Sequence, residues 1–207
     1  MHKTFISYHH RGEQELKDEI IEKAILKDYF IDKSVSEGDI DTTLSEDTIM
    51  RKIREEYIGD STVVVVLIGE ETSQRPYVNS EIQAALWGKS TGLVGVVRDD
   101  LFDRIYSSTT CTALNCSCGI NLKTPTTELQ QKVPFLVREN NLRLENGKST
   151  SPHYSDSEAY CGIYRYSTFI NNIEKYIDEA FDKRDKMFDI KKRNDIGVKT
   201  IQKPYGY

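Results

Sequence analysis

The stretch "STVVVVLIG", residues 61–69, decides the fold. Six consecutive apolar residues, Val63 to Ile68, leave no polar face. A strand with one wet side alternates, whereas a strand covered on both sides reads as a continuous apolar run, the habit of a central parallel strand. Working outward, "KTFISY" (3–8) and "GLVGVV" (92–97) read as further strands, and "YFIDKSV" (29–35) as a short one. Between them Leu16, Ile20, Ile21, Ala24 and Ile25 recur at helical spacing, as do Ile49, Ile53 and Tyr57. Ser45 is placed to cap the second of these helices. Pro76 opens a third helix over "PYVNSEIQAALWGK". Strand and helix alternate from residue 3 to 97, which implies an open parallel sheet with helices on both faces.

The alternation breaks over residues 99–158, rich in Ser, Thr, Asn and Lys, with "KVPFLVREN" (132–140) as a possible strand. "AYCGIYRY" (159–166) then resumes the sheet as a fifth strand, and 167–186 reads as one helix capped by Ser167. The expected organisation is one α/β domain over 1–187, with a long insertion at about 99–158, followed by a loosely attached basic tail over 188–207. From Lys183 onward there are eight Lys/Arg and three acids, so a net charge of −5 divides into +5 at this end and −10 on the rest. An acidic body is a poor nucleic-acid surface. No apolar run approaches the roughly 18 residues of a membrane span, and "MHKTFISYHH" lacks a signal peptide's apolar core. A cytoplasmic location without membrane or nucleic-acid partners is therefore expected. Cys111, Cys116, Cys118 and Cys161 read as reduced thiols. The C-x4-C-x-C spacing, completed by His153 or Cys161, could hold zinc, but structural zinc sites use tighter pairs, so no metal is assigned.

Ligands of open α/β sheets bind at the carboxyl ends of strands, which here means the loops His9–Arg11, Ser34–Asp41 and Gly69–Arg75. The Gly69 loop lacks the G-x-x-x-x-G-K-[ST] phosphate cradle, so triphosphate hydrolysis has little support. In "RPYVNSEIQAALWGK" (75–89), Val78, Ile82, Ala85 and Leu86 form an apolar arc. Glu81 falls at its edge, one turn after Tyr77 and beside small residues that leave room for a ligand. By geometry alone a glutamate so placed is more often an ordinary solvated helix residue.

Four segments together carry a more specific signal: "KTFISYHH" (3–10), "FIDKSVSEGDID" (30–41), "IREEYIGDSTVVVVLIG" (53–69) and "RPYVNSEI" (75–82). They resemble the bacterial TIR-like proteins of the ThsB kind, the sensor and signal-making component of Thoeris anti-phage defence. The likeness extends more weakly over 160–184. It implies a TIR, flavodoxin-like fold and cleavage of NAD, as substrate and not cofactor, at the nicotinamide–ribose bond. The catalytic acid of an aromatic-x-x-x-Glu pattern would be Glu81, with Tyr77 as the aromatic. Tyr77 stands where tryptophan is frequent, and Ser80 where a bulky residue is frequent. Tyr8, His9, His10 and Arg11 would line the NAD pocket, with Ser34, Asp39 and Asp41 as further candidates, and His9 or His10 could act as base on the acceptor. A cyclic ADP-ribose isomer, a downstream effector that senses it, and self-assembly are also implied. Two other readings stay open: a TIR module that only assembles, and a nucleoside deoxyribosyltransferase-like enzyme.

Overall fold

The computed structural model describes residues 2–25, 43–59, 61–87, 91–111, 121–147 and 155–201. Strand β1 (Thr4–Ser7) leads into α1 (His10–Ile25). Helix α2 (Glu46–Lys52) is capped by Ser45, whose Oγ accepts from Thr48 N at 3.3 Å, and it continues as a π-helical turn over Ile53–Ile58. Then come β2 (Val63–Ile68), α3 (Pro76–Leu86), β3 (Gly92–Val97) and α4 (Asp99–Ile105). The insertion holds a hairpin, β4 (Tyr106–Thr110) and β5 (Asn121–Pro125), and two short helices, α5 (Thr127–Lys132) and α6 (Phe135–Asn141). Strand β6 (Cys161–Arg165), α7 (Tyr166–Ile170) and α8 (Ile173–Asp182) complete the order.

The main sheet is parallel, in the order β1-β2-β3-β6, with Ser7 opposite Val66 and Val65 opposite Val94. It has four strands among the described residues, where the sequence suggested five; the expected strand 29–35 lies outside them. β2 is buried on both faces as its composition demands. Val64, Val66 and Ile68 pack with α2, α3 and α6, while Val63, Val65 and Leu67 pack with α1, α7 and α8. Each fully buried Val or Leu contributes about 1.5–3 kcal/mol relative to an exposed one, which makes this strand the axis of the domain.

Three expectations need correction. "KVPFLVREN" is helical, because Pro134 begins α6 and the buried pairs Leu136/Asn140 and Val137/Asn141 are four apart, a helical and not a strand period. The helix expected over 167–186 is two helices: Asn171 and Asn172 donate to the carbonyls of Ser167 and Thr168, competing with the backbone ladder. Over its described part, 188–201, the tail is seated on the domain. Phe188 and Ile190 pack on the core, and Ile201 is 4% exposed.

The insertion also protects an edge. Asp156 Oδ1 accepts from Ile163 N, and Lys123 Nζ donates to Ile163 O, so the outer groups of β6 at that residue are bonded by side chains.

Gly92 marks the closest approach of sheet and helix, since a Cβ there would lie 2.3 Å from the Ala180 carbonyl oxygen of α8. Backbone cannot rotate away. Gly92→Ala should destabilise the fold by about 1–3 kcal/mol, read as a lower urea midpoint with unchanged slope.

Candidate active site

Helix α3 is enclosed on every side, and residues 78–86 are all buried. Glu81, placed by the sequence at the edge of the apolar arc, is 3% exposed. A buried carboxylate needs hydrogen-bond donors. Ser7 Oγ supplies one, donating to Glu81 Oε2 at 2.5 Å, the short range typical of bonds to carboxylates. Ser7 is the last residue of β1, so Glu81 sits at the carboxyl end of the sheet. Tyr77, half-buried one turn earlier, packs on the same core. Arg54 secures the far end of the helix, donating to Ala85 O at 2.7 Å and to Thr91 Oγ1 at 2.9 Å.

Strand alternation separates the remaining candidates. Tyr8 is adjacent to Ser7 and therefore faces the other side, packed in the α1 and α8 cluster. Its hydroxyl donates to Gln14 Oε1 at 2.8 Å and lies 3.0 Å from His10 Nδ1. The structure thus pairs Tyr8 with His10 and brings neither to Glu81. His9 and Arg11 instead border an open cavity of about 390 Å³ above the carboxyl ends of β1, β2 and β3, together with Glu13, Arg75 and Arg98. Ser34, Asp39 and Asp41 lie outside the described residues.

Burial lowers the pKa of His9, and Arg75, Arg11 and His10 lower it further. The ring is held neutral at pH 7, which suits a proton acceptor. Glu13, 1% exposed, accepts from His9 N at 3.1 Å and from Thr72 Oγ1 at 3.2 Å. It thereby satisfies the orphan amide at the start of α1 and stitches the β1–α1 corner to the β2–α3 corner. Burial raises its pKa, against hydrogen bonds from His9 and Thr72 and the fields of Arg98 and Arg75. Gly69 makes room for it: a Cβ there would fall 1.9 Å from Glu13 Oε1.

Sequence reasoning missed Ser7, Glu13 and Arg98, and reached Thr72 and Arg75 only through the loop Gly69–Arg75. Period-two alternation from Phe5 would have found Ser7, and an acid in the first turn of α1, where the helix dipole favours negative charge, was a legible signal for Glu13. Of the cysteines, Cys161 is buried in β6 and its thiol is pushed up to about 12 by desolvation, which leaves it a poor metal ligand. No group of three or more potential ligands that could hold a metal occurs among the described residues. No helix among them is long and apolar enough to cross a membrane.

The parallel sheet with helices on both faces is an open α/β fold that buries a glutamate on the helix after β2. Residues 5–102 match the family model of the Thoeris protein ThsB, TIR-like domain. That segment, just under half of the chain, contains Ser7, Glu81 and the cavity, and it is similar to the TIR-like domain of this Thoeris protein. A comparison with curated proteins found no match.

Two outcomes follow for the Glu13 corner. Gly69→Ala should cost about 1–3 kcal/mol, and less in a Glu13→Ala background; a double-mutant cycle of urea midpoints reads the coupling. Because the folded pKa of Glu13 is raised, the native state binds that proton more tightly than the unfolded state. Its contribution is fully present below the ordinary carboxyl range and is lost as pH rises through the raised value. Glu13→Gln should therefore melt above the wild type at pH 7, with the gap closing toward pH 4 in a thermal-unfolding series.

Proposed function

We propose that the chain is an NAD-cleaving enzyme that releases nicotinamide and makes an ADP-ribose-derived signal in anti-phage defence. The observation that carries this reading is the Ser7–Glu81 pair: a carboxylate oriented inside the fold, at the sheet edge where ligands of open α/β sheets bind. Kinship with the ThsB family gives the chemistry its direction. Cleavage of a glycosidic bond commonly takes two carboxylates, one to protonate the leaving group. Nicotinamide leaves from a pyridinium, takes the bond pair and needs no proton. What remains is a ribosyl cation, and one fixed anion beside it is worth about 3–4 kcal/mol, on the order of 10²–10³ in rate.

The other residues take roles by position. Arg11, Arg75 and Arg98 line the cavity and would meet the diphosphate there, Arg75 and Arg98 by exchanging their ion pairs with Glu71 and Asp100 for it. His9, neutral, is the candidate base on the acceptor hydroxyl. Water as acceptor gives ADP-ribose, and a group within the same molecule gives a cyclic isomer, which the family relationship favours. A downstream effector would read the product, a homo-oligomer would be the working form, and the cytoplasm, where NAD is available, would be the place. Two observations favour a second reading, the non-catalytic assembly module: Glu81 is only 3% exposed, and it is not among the residues that line the cavity of His9 and Arg11.

Nicotinamide release from NAD by the full chain separates the two, measured alone and with lysate of phage-infected cells. Glu81→Gln should reduce release by about 10²–10³, and Ser7→Ala by about ten- to hundredfold through the lost bond to a charged group. Equal release by folded Glu81→Gln, or none from the wild type under either condition, would transfer the conclusion to the assembly module.

A further inference from the structure

Residues 186–201 form neither helix nor strand, yet they are fastened along their length across the outer side of α3. Phe188 stands edge-on to Tyr160, with ring centroids 5.4 Å apart. Asn140 of α6 brackets Lys191, accepting from its N–H and donating to its carbonyl, both at 2.9 Å. Arg193 lies over the Trp87 ring. The remaining ties go to α3 itself. Gln83 Oε1 accepts from Asn194 N at 2.7 Å, Asn79 Nδ2 donates to Lys199 O at 2.7 Å, and Ser80 Oγ accepts from Ile201 N at 2.9 Å.

We propose that this C-terminal strap positions Glu81, holding α3 from outside in the one rotation and height at which Glu81 meets Ser7. Asn79, Ser80 and Gln83 are gripped by the strap, and Glu81, next to Ser80, is gripped by β1. Successive helix residues are about 100° apart, so a small rotation of α3 breaks both sets of contacts together. The small hydroxyl of Ser80 fits this role, because a bulky side chain there would lift Ile201 from its buried seat and remove its acceptor. The strap's ties are side-chain-to-backbone bonds and a few apolar anchors, so releasing it leaves the hydrogen-bond ladder of the sheet intact. Asn79, Ser80, Gln83 and Asn140 are therefore positioning residues. Their effect on turnover rests on the NAD-cleaving reading; their effect on the placement of Glu81 does not.

The test uses the full chain carrying Ile201→Asp, which expels the strap's end, with Asn140→Ala as a milder variant that removes the Lys191 bracket together with Asn140's own bond to Leu136 O, and Ile201→Val as the conservative control. Three readouts are taken: tryptic cleavage at Lys191–Arg193, the carboxyl ¹³C resonance of Glu81, and kcat and KM for nicotinamide release. Release of the strap should speed cleavage at least about tenfold, move the Glu81 resonance and lower kcat about 100-fold, as a displacement of order 1 Å does. KM should stay within about twofold, and Ile201→Val should match the wild type. Should Ile201→Asp fail to fold, Asn140→Ala carries the same readouts. A freed strap with the Glu81 resonance and kcat unchanged would overturn the proposal. Absence of nicotinamide release from the wild type would overturn the NAD reading instead, and the resonance alone would then judge the strap.

Discussion

A buried helix needs partners for the polar side chains it buries, and α3 buries four, Asn79, Ser80, Glu81 and Gln83; each is bonded, although Asn79 Oδ1 is left without a partner. Leaving one such group unmade costs about 1–3 kcal/mol, a large share of a domain's net stability of about 5–15 kcal/mol. The partners come from three parts of the chain, two of them distant. Ser7 of β1 donates to Glu81, the Ser73 carbonyl accepts from Asn79, and the segment around 194–201 serves Asn79, Ser80 and Gln83. The first strand, the loop after β2 and the C-terminal segment are thereby tied to one helix. The residue best suited to chemistry stands at the centre of that arrangement.

This constraint explains what was legible in the sequence. Val63–Ile68, the helix begun by Pro76, and the strands at 92–97 and 161–165 announce themselves through hydrophobic continuity and period, signals local to a few residues. Glu81 could be found, but its burial could not. A helical wheel sees the face turned to the sheet; it cannot see that another segment covers the opposite face. Phe188, Ile190 and Ile201 are spaced without period among lysines, so the segment reads as solvated although each is seated. Its fixings run from side chain to backbone and leave no pattern in the strap itself. The only trace is on α3, where Asn79, Ser80 and Gln83 occupy positions that a solvent-facing helix more often fills with charge.

The candidate site shows the same division. His9 and Arg11 were placed at the carboxyl edge by topology alone, and they border the cavity there. Tyr8 and His10 were grouped with them by adjacency, yet alternation along β1 sends Tyr8 to the opposite face, where it pairs with His10. Beyond its place in the first turn of α1, Glu13 carries no mark in the sequence that separates it from other helix acids, although that place gives it amide and hydroxyl partners. Two carboxylates thus sit near the end of β1 with different tasks. Glu81 is oriented by Ser7 and carries the proposed chemistry, while Glu13 joins the two corners that frame the cavity.

The central claim is that Glu81 stabilises positive charge on the ribose as the bond to nicotinamide breaks. The most direct measurement is the secondary isotope effect at the C1′ hydrogen of the nicotinamide ribose during NAD turnover by the full chain, taken beside Glu81→Gln. A normal effect on a reaction that Glu81→Gln suppresses is the predicted result, since C1′ becomes planar and cationic in the transition state. Turnover that shows no such effect, or that proceeds equally in folded Glu81→Gln, would contradict the account.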